Sequence, residues 1–288
     1  MLADKKSRLT LYLIMISLLI VALSACQLEE GERNRVEIDE SIPSKSDTSY
    51  TLEEKDAGGD LLDTDPQVTG VPALPAKAVS PDSEKTAKVL NEFVRQAAQI
   101  LADEAQANML TMRGIAKHKP YPSLEERFKM KSLCLANYPM YRGVSFLVGM
   151  DMYPVVASFG DQVKALKENW DQYDFFFIHA KTTDKTGEDG NFAAKVAAIE
   201  ELDQYIPQIT ALNPDVLVIT GDHSTPSAMK SHSWHPVPVL LSSDLARLDW
   251  AERLTELDCL KGALGQIPAK DLMGLALAHA GRLAKFGA

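Results

Sequence analysis

Apolar and polar positions follow two different periods along this chain, separated by stretches with neither. After Ser83, the residues Val89, Leu90, Phe93, Val94, Ala97, Ile100 and Leu101 recur at helical spacing. That spacing predicts an amphipathic helix whose apolar face is core. Asn108 to Gly114 reads as a short strand ending in Arg-Gly. Gln162 to Asn169 reads as a helix, and Asp174 to His179 as a buried strand. A polar loop from Ala180 to Gly190 follows. Phe192, Val196, Ile199, Leu202 and Ile206 then predict a second amphipathic helix. Val216 to Ile219 is a run of four apolar residues that opens directly into Thr220-Gly221-Asp222-His223-Ser224. Such a run suits a strand buried on both faces that delivers polar groups at its carboxyl end. A last strand is expected over Val237 to Leu241, and a closing helix over 269–286.

Strand, polar loop, helix and strand make one βαβ unit. Such units are right-handed and build parallel sheets. The loops after the two strands therefore open on one edge of the sheet, where ligands of open α/β sheets bind. Taken alone, Gly-Asp-His-Ser fits a helix cap beside an ordinary loop histidine as well as it fits a metal site. The company it keeps changes that balance. Asp184 and Glu188 come from the first loop, Asp222 and His223 from the second, and His232 from the segment before the last strand. Mixed carboxylate and imidazole ligands suit Mn²⁺ or Zn²⁺ better than Ca²⁺.

Composition narrows the partners. The chain has 288 residues and a net charge of −10, which argues against a nucleic-acid partner. Its three cysteines, Cys26, Cys134 and Cys259, stand in no paired spacing and suggest neither a disulfide framework nor a thiolate zinc site. Residues 1–26 form a separate segment. Lys5, Lys6 and Arg8 precede an apolar run from Leu9 to Ala25, which ends in Leu23-Ser24-Ala25-Cys26. This is the pattern of a signal peptide, and the ending resembles a bacterial lipobox. It predicts membrane attachment through Cys26, or export, unless the segment is foreign to the folded protein. Residues 27–60 are an acidic linker. Folded regions are expected over 61–158 and 159–288. Arg113 and Arg142 end apolar stretches, where a guanidinium fork suits phosphate or carboxylate, although single arginines more commonly serve surface ion pairs.

Several separate motifs then align in order. They are Ile178-His179-Ala180-Lys181 with Asp184, Thr220-Gly221-Asp222-His223-Ser224-Thr225-Pro226, and His232-Ser233-Trp234-His235-Pro236-Val237-Pro238-Val239. Asp63-Thr64-Asp65-Pro66, Asn91-Glu92-Phe93, Arg113-Gly114, Tyr138-Pro139-Met140 and the ending from Ala280 to Ala288 agree with them. Over residues 60–288 the chain resembles the archaeal-type cofactor-independent phosphoglycerate mutases of the alkaline phosphatase superfamily. The resemblance implies an α/β fold: part of a mostly parallel sheet with helices on both faces, contributed by 159–288, plus a smaller α/β insert domain over 61–158. It implies a cytoplasmic isomerase interconverting 3-phosphoglycerate and 2-phosphoglycerate with divalent metal, Mn²⁺ first and Zn²⁺ or Mg²⁺ as alternatives. By position, Asp184, Glu188 and His232 would hold one ion, and Asp222 and His223 part of a second. Arg113, Arg142 and Lys181 would meet the substrate.

Two departures qualify the resemblance. The family's first strand, with a metal-binding aspartate and the serine nucleophile, is absent, and the region before residue 60 offers only the signal-like segment and the acidic linker, so no catalytic nucleophile is assigned. An exposed sheet edge and an inactive isolated chain are expected, with a separate N-terminal polypeptide as the partner that would complete it. Glu188 also stands where the family has histidine. The alternatives are an exported lipoprotein remnant with a non-catalytic metal, or a metal-dependent phosphohydrolase.

Overall fold

The computed structural model describes residues 58–283, except 69, 118 and 119, together with the backbone of 18–23. Cys26 and most of the signal-like segment and linker lie outside the described residues. Strand β1 (Leu18–Leu23) is followed by β2 (Leu61–Leu62), β3 (Lys77–Ala78), helix α1 (Glu84–Ile100), α2 (Leu124–Phe128), β4 (Ser132–Cys134) and α3 (Pro139–Leu147). Then come β5 (Asp151–Met152), α4 (Phe159–Glu168), β6 (Phe175–Ala180), α5 (Thr182–Glu188), α6 (Phe192–Asp203) and α7 (Ile206–Thr210). Strands β7 (Val216–Thr220) and β8 (Val239–Ser243) and helices α8 (Glu256–Cys259) and α9 (Leu272–His279) complete the chain. Contacts divide these elements into two units at 120/121, rather than at 158 as the hydrophobic pattern suggested. Residues 121–158 supply β4 and β5 to the large sheet, which is why they group with the later region.

The smaller unit carries α1 and the antiparallel pair β2–β3. The Asn91 amide holds the Ala76 backbone from both sides, at 2.8 and 2.9 Å. The strand expected at 108–114 does not form. Among the described residues the Met112 backbone exchanges bonds with Thr64 alone, and Gly114 adopts a left-handed φ of +66° while its N–H donates to Asp63. Nor is the whole apolar face of α1 core: Ala87 is buried, but Phe93 and Ile100 are 50% and 81% exposed. A ribbon of two-residue strands is too small to cover a 17-residue helix.

The larger unit is a six-stranded sheet in the order β5-β4-β6-β1-β7-β8. Strands β5, β4, β6 and β7 run one way, and β1 and β8 run the other. Side chains alternate between faces along a strand, and each face has its own core. Phe176 and Ile178 of β6 join Leu217 and Ile219 of β7 against α4, α6 and α7. Phe175, Val216 and Val218 point the other way, with Met130, Cys134, Ala276 and Leu277. Helices therefore cover both faces, and the fold is the expected mixed α/β sheet.

One expectation about the sheet is overturned. No open edge lies between β6 and β7, because β1 fills the slot antiparallel to both. Val21 is paired with Phe177 on one side and Val218 on the other. Residues 18–23, read from sequence as part of a signal-like apolar run, are here a central strand. Among the described residues no helix is long and apolar enough to cross a membrane.

Candidate metal centre

Strand register brings the site together. Leu19 of β1 faces His179 of β6 on one side and Thr220 of β7 on the other, so the carboxyl ends of β6 and β7 lie level. Thr220 also pairs with Val239, the first residue of the antiparallel β8. The segments after β6, after β7 and before β8 consequently meet at one sheet edge. A bond from the Ser233 N–H to the Ser224 carbonyl, 2.8 Å, ties the second segment to the third. The His223 and His232 rings stack with centroids 3.7 Å apart.

The segment after β6 is the short helix α5, where a loop was expected. Asp184 lies in its first turn and Glu188 one turn later on the same face. Asp184 is 1% exposed and sits at the centre of the cluster. Its Oδ1 is 3.7 Å from His223 Nδ1 and 3.8 Å from His232 Nε2. Glu188 Oε1 is 3.4 Å from His232 Nε2, and Asp222 Oδ2 is 3.2 Å from His223 Nε2. One ligand atom each from Asp184, His223 and His232 lie within 4.8 Å of one another. All five residues singled out in the sequence as ligands are thus in this cluster.

Electrostatics prepare it for a cation. Burial pushes the Asp184 carboxyl up, but hydrogen bonds from Lys181 and Thr225, with the Lys181 charge, outweigh this and hold it below its usual range. The Lys181 ammonium is in direct contact with Asp184 Oδ2 and lies 4.8 Å from the centre of the Tyr138 ring. His179, at the end of β6, is driven down to about 4 by burial, helped by the Lys181 charge. Asp184, His223 and His232, with Glu188 beside His232 and Asp222 beside His223, form a mixed carboxylate and imidazole donor set that fits a divalent metal.

The two arginines have their own partners. Arg142, on α3, donates through Nη1 to the carbonyls of Ala136 and Tyr153 at 3.0 and 2.7 Å. Arg113 belongs to the smaller unit, where it pairs with Asp65 at 3.3 Å.

Three supporting residues escaped the sequence reading: Thr225, Lys195 and Gly187. Thr225 is 2% exposed, and its hydroxyl touches both Asp184 and His223. Lys195 is 2% exposed on α6, where the expected face contained Val196 instead. A signal was available, since Lys195 stands at i, i+4 and i+7 with Ile199 and Leu202 and so occupies the apolar stripe. A lysine there without a partner would be costly to bury.

Known proteins are similar to this chain over most of its length. The profile described as "Metalloenzyme superfamily" matches residues 31–279. A probable 2,3-bisphosphoglycerate-independent phosphoglycerate mutase of Thermotoga sp. (strain RQ2) is 48% identical over 231 residues, covering 80% of this chain and 58% of the relative. A Thermus thermophilus protein of the same description is 45% identical over 276 residues, covering 90% of this chain and 68% of the relative. The chain thus spans less than two thirds of the length of the Thermotoga relative. A solved Pyrococcus horikoshii structure superposes with a TM-score of 0.64 at 31% identity, over 72% of this chain and 60% of that one. The cofactor-independent phosphoglycerate mutase of Thermoplasma acidophilum has a TM-score of 0.52 at 23% identity, over 78% and 60%, and supports the fold.

Proposed function

We propose, for a chain that belongs to the metalloenzyme superfamily and within it to the 2,3-bisphosphoglycerate-independent phosphoglycerate mutases, that it supplies the metal-holding part of a phosphoryl-transfer site acting on phosphoglycerates. The observation that carries this reading is the meeting of Asp184, Glu188, Asp222, His223 and His232 at one sheet edge. Asp184, Glu188 and His232 would hold one divalent ion, and Asp222 with His223 would contribute to a second. Mn²⁺ is the proposed metal, because oxygen outnumbers nitrogen in this donor set. When bound, such ions supply positive charge to the oxygens of a transferring phosphoryl group.

The protein's own groups do the rest. Asp184 is held ionised by Lys181 and Thr225, so it is ready to accept a cation without first losing a proton. Lys181 faces the same cluster and is the proposed contact for a phosphate or carboxylate oxygen of the substrate. Arg113 and Arg142 are the further proposed substrate contacts. The phosphoryl-accepting serine that the family resemblance implies is not among these residues, and a complementing N-terminal segment is its proposed source. The cytoplasm is the proposed location, following from the proposed phosphoglycerate substrate.

Calorimetric titration with Mn²⁺ tests the metal reading. Binding by the wild-type chain, weakened at least about tenfold in Asp184→Asn, is expected. A wild-type chain that binds no Mn²⁺ would remove the reading. A coupled assay for 2-phosphoglycerate formation tests the assignment of the nucleophile. The chain with Mn²⁺ is expected to give no turnover, and measured turnover would overturn that assignment.

A further inference from the structure

A threonine hydroxyl has one proton to donate and can also accept. Thr225 Oγ1 lies 2.5 Å from Asp184 Oδ1 and 3.0 Å from His223 Nδ1. An ionised carboxylate only accepts, so the hydroxyl proton goes to Asp184. Oγ1 must then accept, and the only proton within its reach on the imidazole is the one at Nδ1. The consequence is a directed chain from His223 Nδ1–H to Thr225 Oγ1–H to Asp184 Oδ1. With its proton fixed at Nδ1, His223 presents a lone pair at Nε2, the nitrogen 3.2 Å from Asp222 Oδ2.

We propose that Thr225 is a positioning residue that sorts the cluster into two metal sites, by committing His223 Nε2 to the side of Asp222 and leaving Asp184 to His232 and Glu188. By distance alone, Asp184, His223 and His232 would read as a single three-ligand site. The hydroxyl blocks that reading, because it occupies the Nδ1 that faces Asp184.

The hydroxyl is itself held. Lys195 Nζ donates to the Thr225 carbonyl at 2.6 Å, and both residues are 2% exposed. Gly187 of α5 closes the other side: a Cβ there would stand 2.4 Å from the Thr225 carbonyl oxygen and 2.9 Å from Lys195 Nζ. The helix that carries Asp184 and Glu188 thus packs directly on the backbone that carries Thr225. Such outer partners typically set metal affinity by orienting the ligands.

The inference rests on the reading that this cluster holds divalent metal, and the test separates the two. Zn²⁺ is titrated calorimetrically into the full chain, Thr225→Val and Thr225→Ser, with urea midpoints of the metal-free proteins recorded alongside. Thr225→Val, nearly the same shape without the hydroxyl, is expected to lose about 10- to 100-fold in affinity. Thr225→Ser, which keeps the hydroxyl, is expected to retain most of it. Histidine ¹⁵N NMR of the zinc-loaded wild type is expected to show His223 protonated at Nδ1 and metal-bound at Nε2. This measurement needs no variant and decides the matter even where Thr225→Val does not fold. Zinc on Nδ1, or unchanged affinity in a folded Thr225→Val, overturns the positioning role while the metal reading stands. A wild type that binds neither Zn²⁺ nor Mn²⁺ overturns both.

Discussion

His179 should make the protein lose stability on mild acidification, in a pH range where most carboxylates are still ionised. The ring is 3% exposed, and its Nδ1 has no hydrogen-bond partner among the described residues. Tyr141 packs on it with ring centroids 4.1 Å apart. Burial is the larger cause of its depressed pKa; the Lys181 charge and His223 add to it, and Asp184 opposes them. In the folded chain the ring titrates near 4, against 6.5 for an ordinary histidine. Between those values the unfolded chain binds a proton that the folded chain does not. Stability therefore rises with pH across this window, and falls as pH drops from 6.5 towards 4. At about 1.4 kcal/mol per pH unit, the loss on reaching pH 4 is about 3 kcal/mol. Urea unfolding followed by circular dichroism, without metal, measures it at pH 7 and pH 4. His179→Phe keeps a ring against Tyr141 and cannot be protonated. It should lose about 3 kcal/mol less than the wild type over the same interval, since every other titrating group is shared. Equal losses in the two proteins would show that His179 is not held neutral by burial.

The site's walls and ligands give three more tests. Gly187→Ala forces a methyl onto the Thr225 carbonyl and Lys195; overpacking of this kind should cost about 1–3 kcal/mol, read as a lower urea midpoint, and an unchanged midpoint would mean the contact is not tight. Glu188→His replaces the carboxylate 3.4 Å from His232 by an imidazole. Imidazole suits zinc better than manganese, so competition titrations should show the Zn²⁺-to-Mn²⁺ affinity ratio rising; a ratio that stays level would place Glu188 outside the metal shell. Val21→Pro removes a backbone donor between Phe177 and Val218. A central strand does not tolerate proline, so the thermal unfolding midpoint should drop sharply, whereas a wild-type midpoint would show that residues 18–23 do not hold the sheet together.

What the sequence showed best was what periodicity and adjacency encode. The runs 174–179 and 216–219 became β6 and β7 to within a residue at either end, because continuous apolar runs suit strands covered on both faces. Asp222 and His223 needed only to follow such a strand, and His232 only to precede β8, to arrive at the same edge. The helix predicted through Ile206 broke after Asp203 and resumed at Ile206, with Pro207 in its new first turn, where proline is tolerated. Supporting residues were harder to see, because their roles are contacts between distant segments. Thr225 meets Asp184 across 41 positions, and Lys195 meets Thr225 across 30. Neither contact has a period. The expected loop at 182–188 is a short helix, which puts Asp184 and Glu188, four residues apart, on one face.

The apolar stretch near the N-terminus carries a different lesson. A membrane core and the middle of a covered sheet ask for the same side chains, so composition cannot separate the two uses of residues 18–23. Backbone pairing does separate them. Strands β6 and β7 run the same way with one strand's width between them, and β1 satisfies the facing edges of both. Were β1 withdrawn, the backbone groups along Phe175 to Ala180 and Val216 to Thr220 that bond to it would lose their partners, in a sheet whose two faces are buried under helices. Each such group left dry costs about 1–3 kcal/mol, so a few of them equal the whole stability of an ordinary domain, about 5–15 kcal/mol. The slot must hold a strand for the edges of β6 and β7 to stay level, and it is that level edge which brings Asp184, His223 and His232 together. A chain whose residues 18–23 are in a membrane cannot at the same time use them to align its metal ligands.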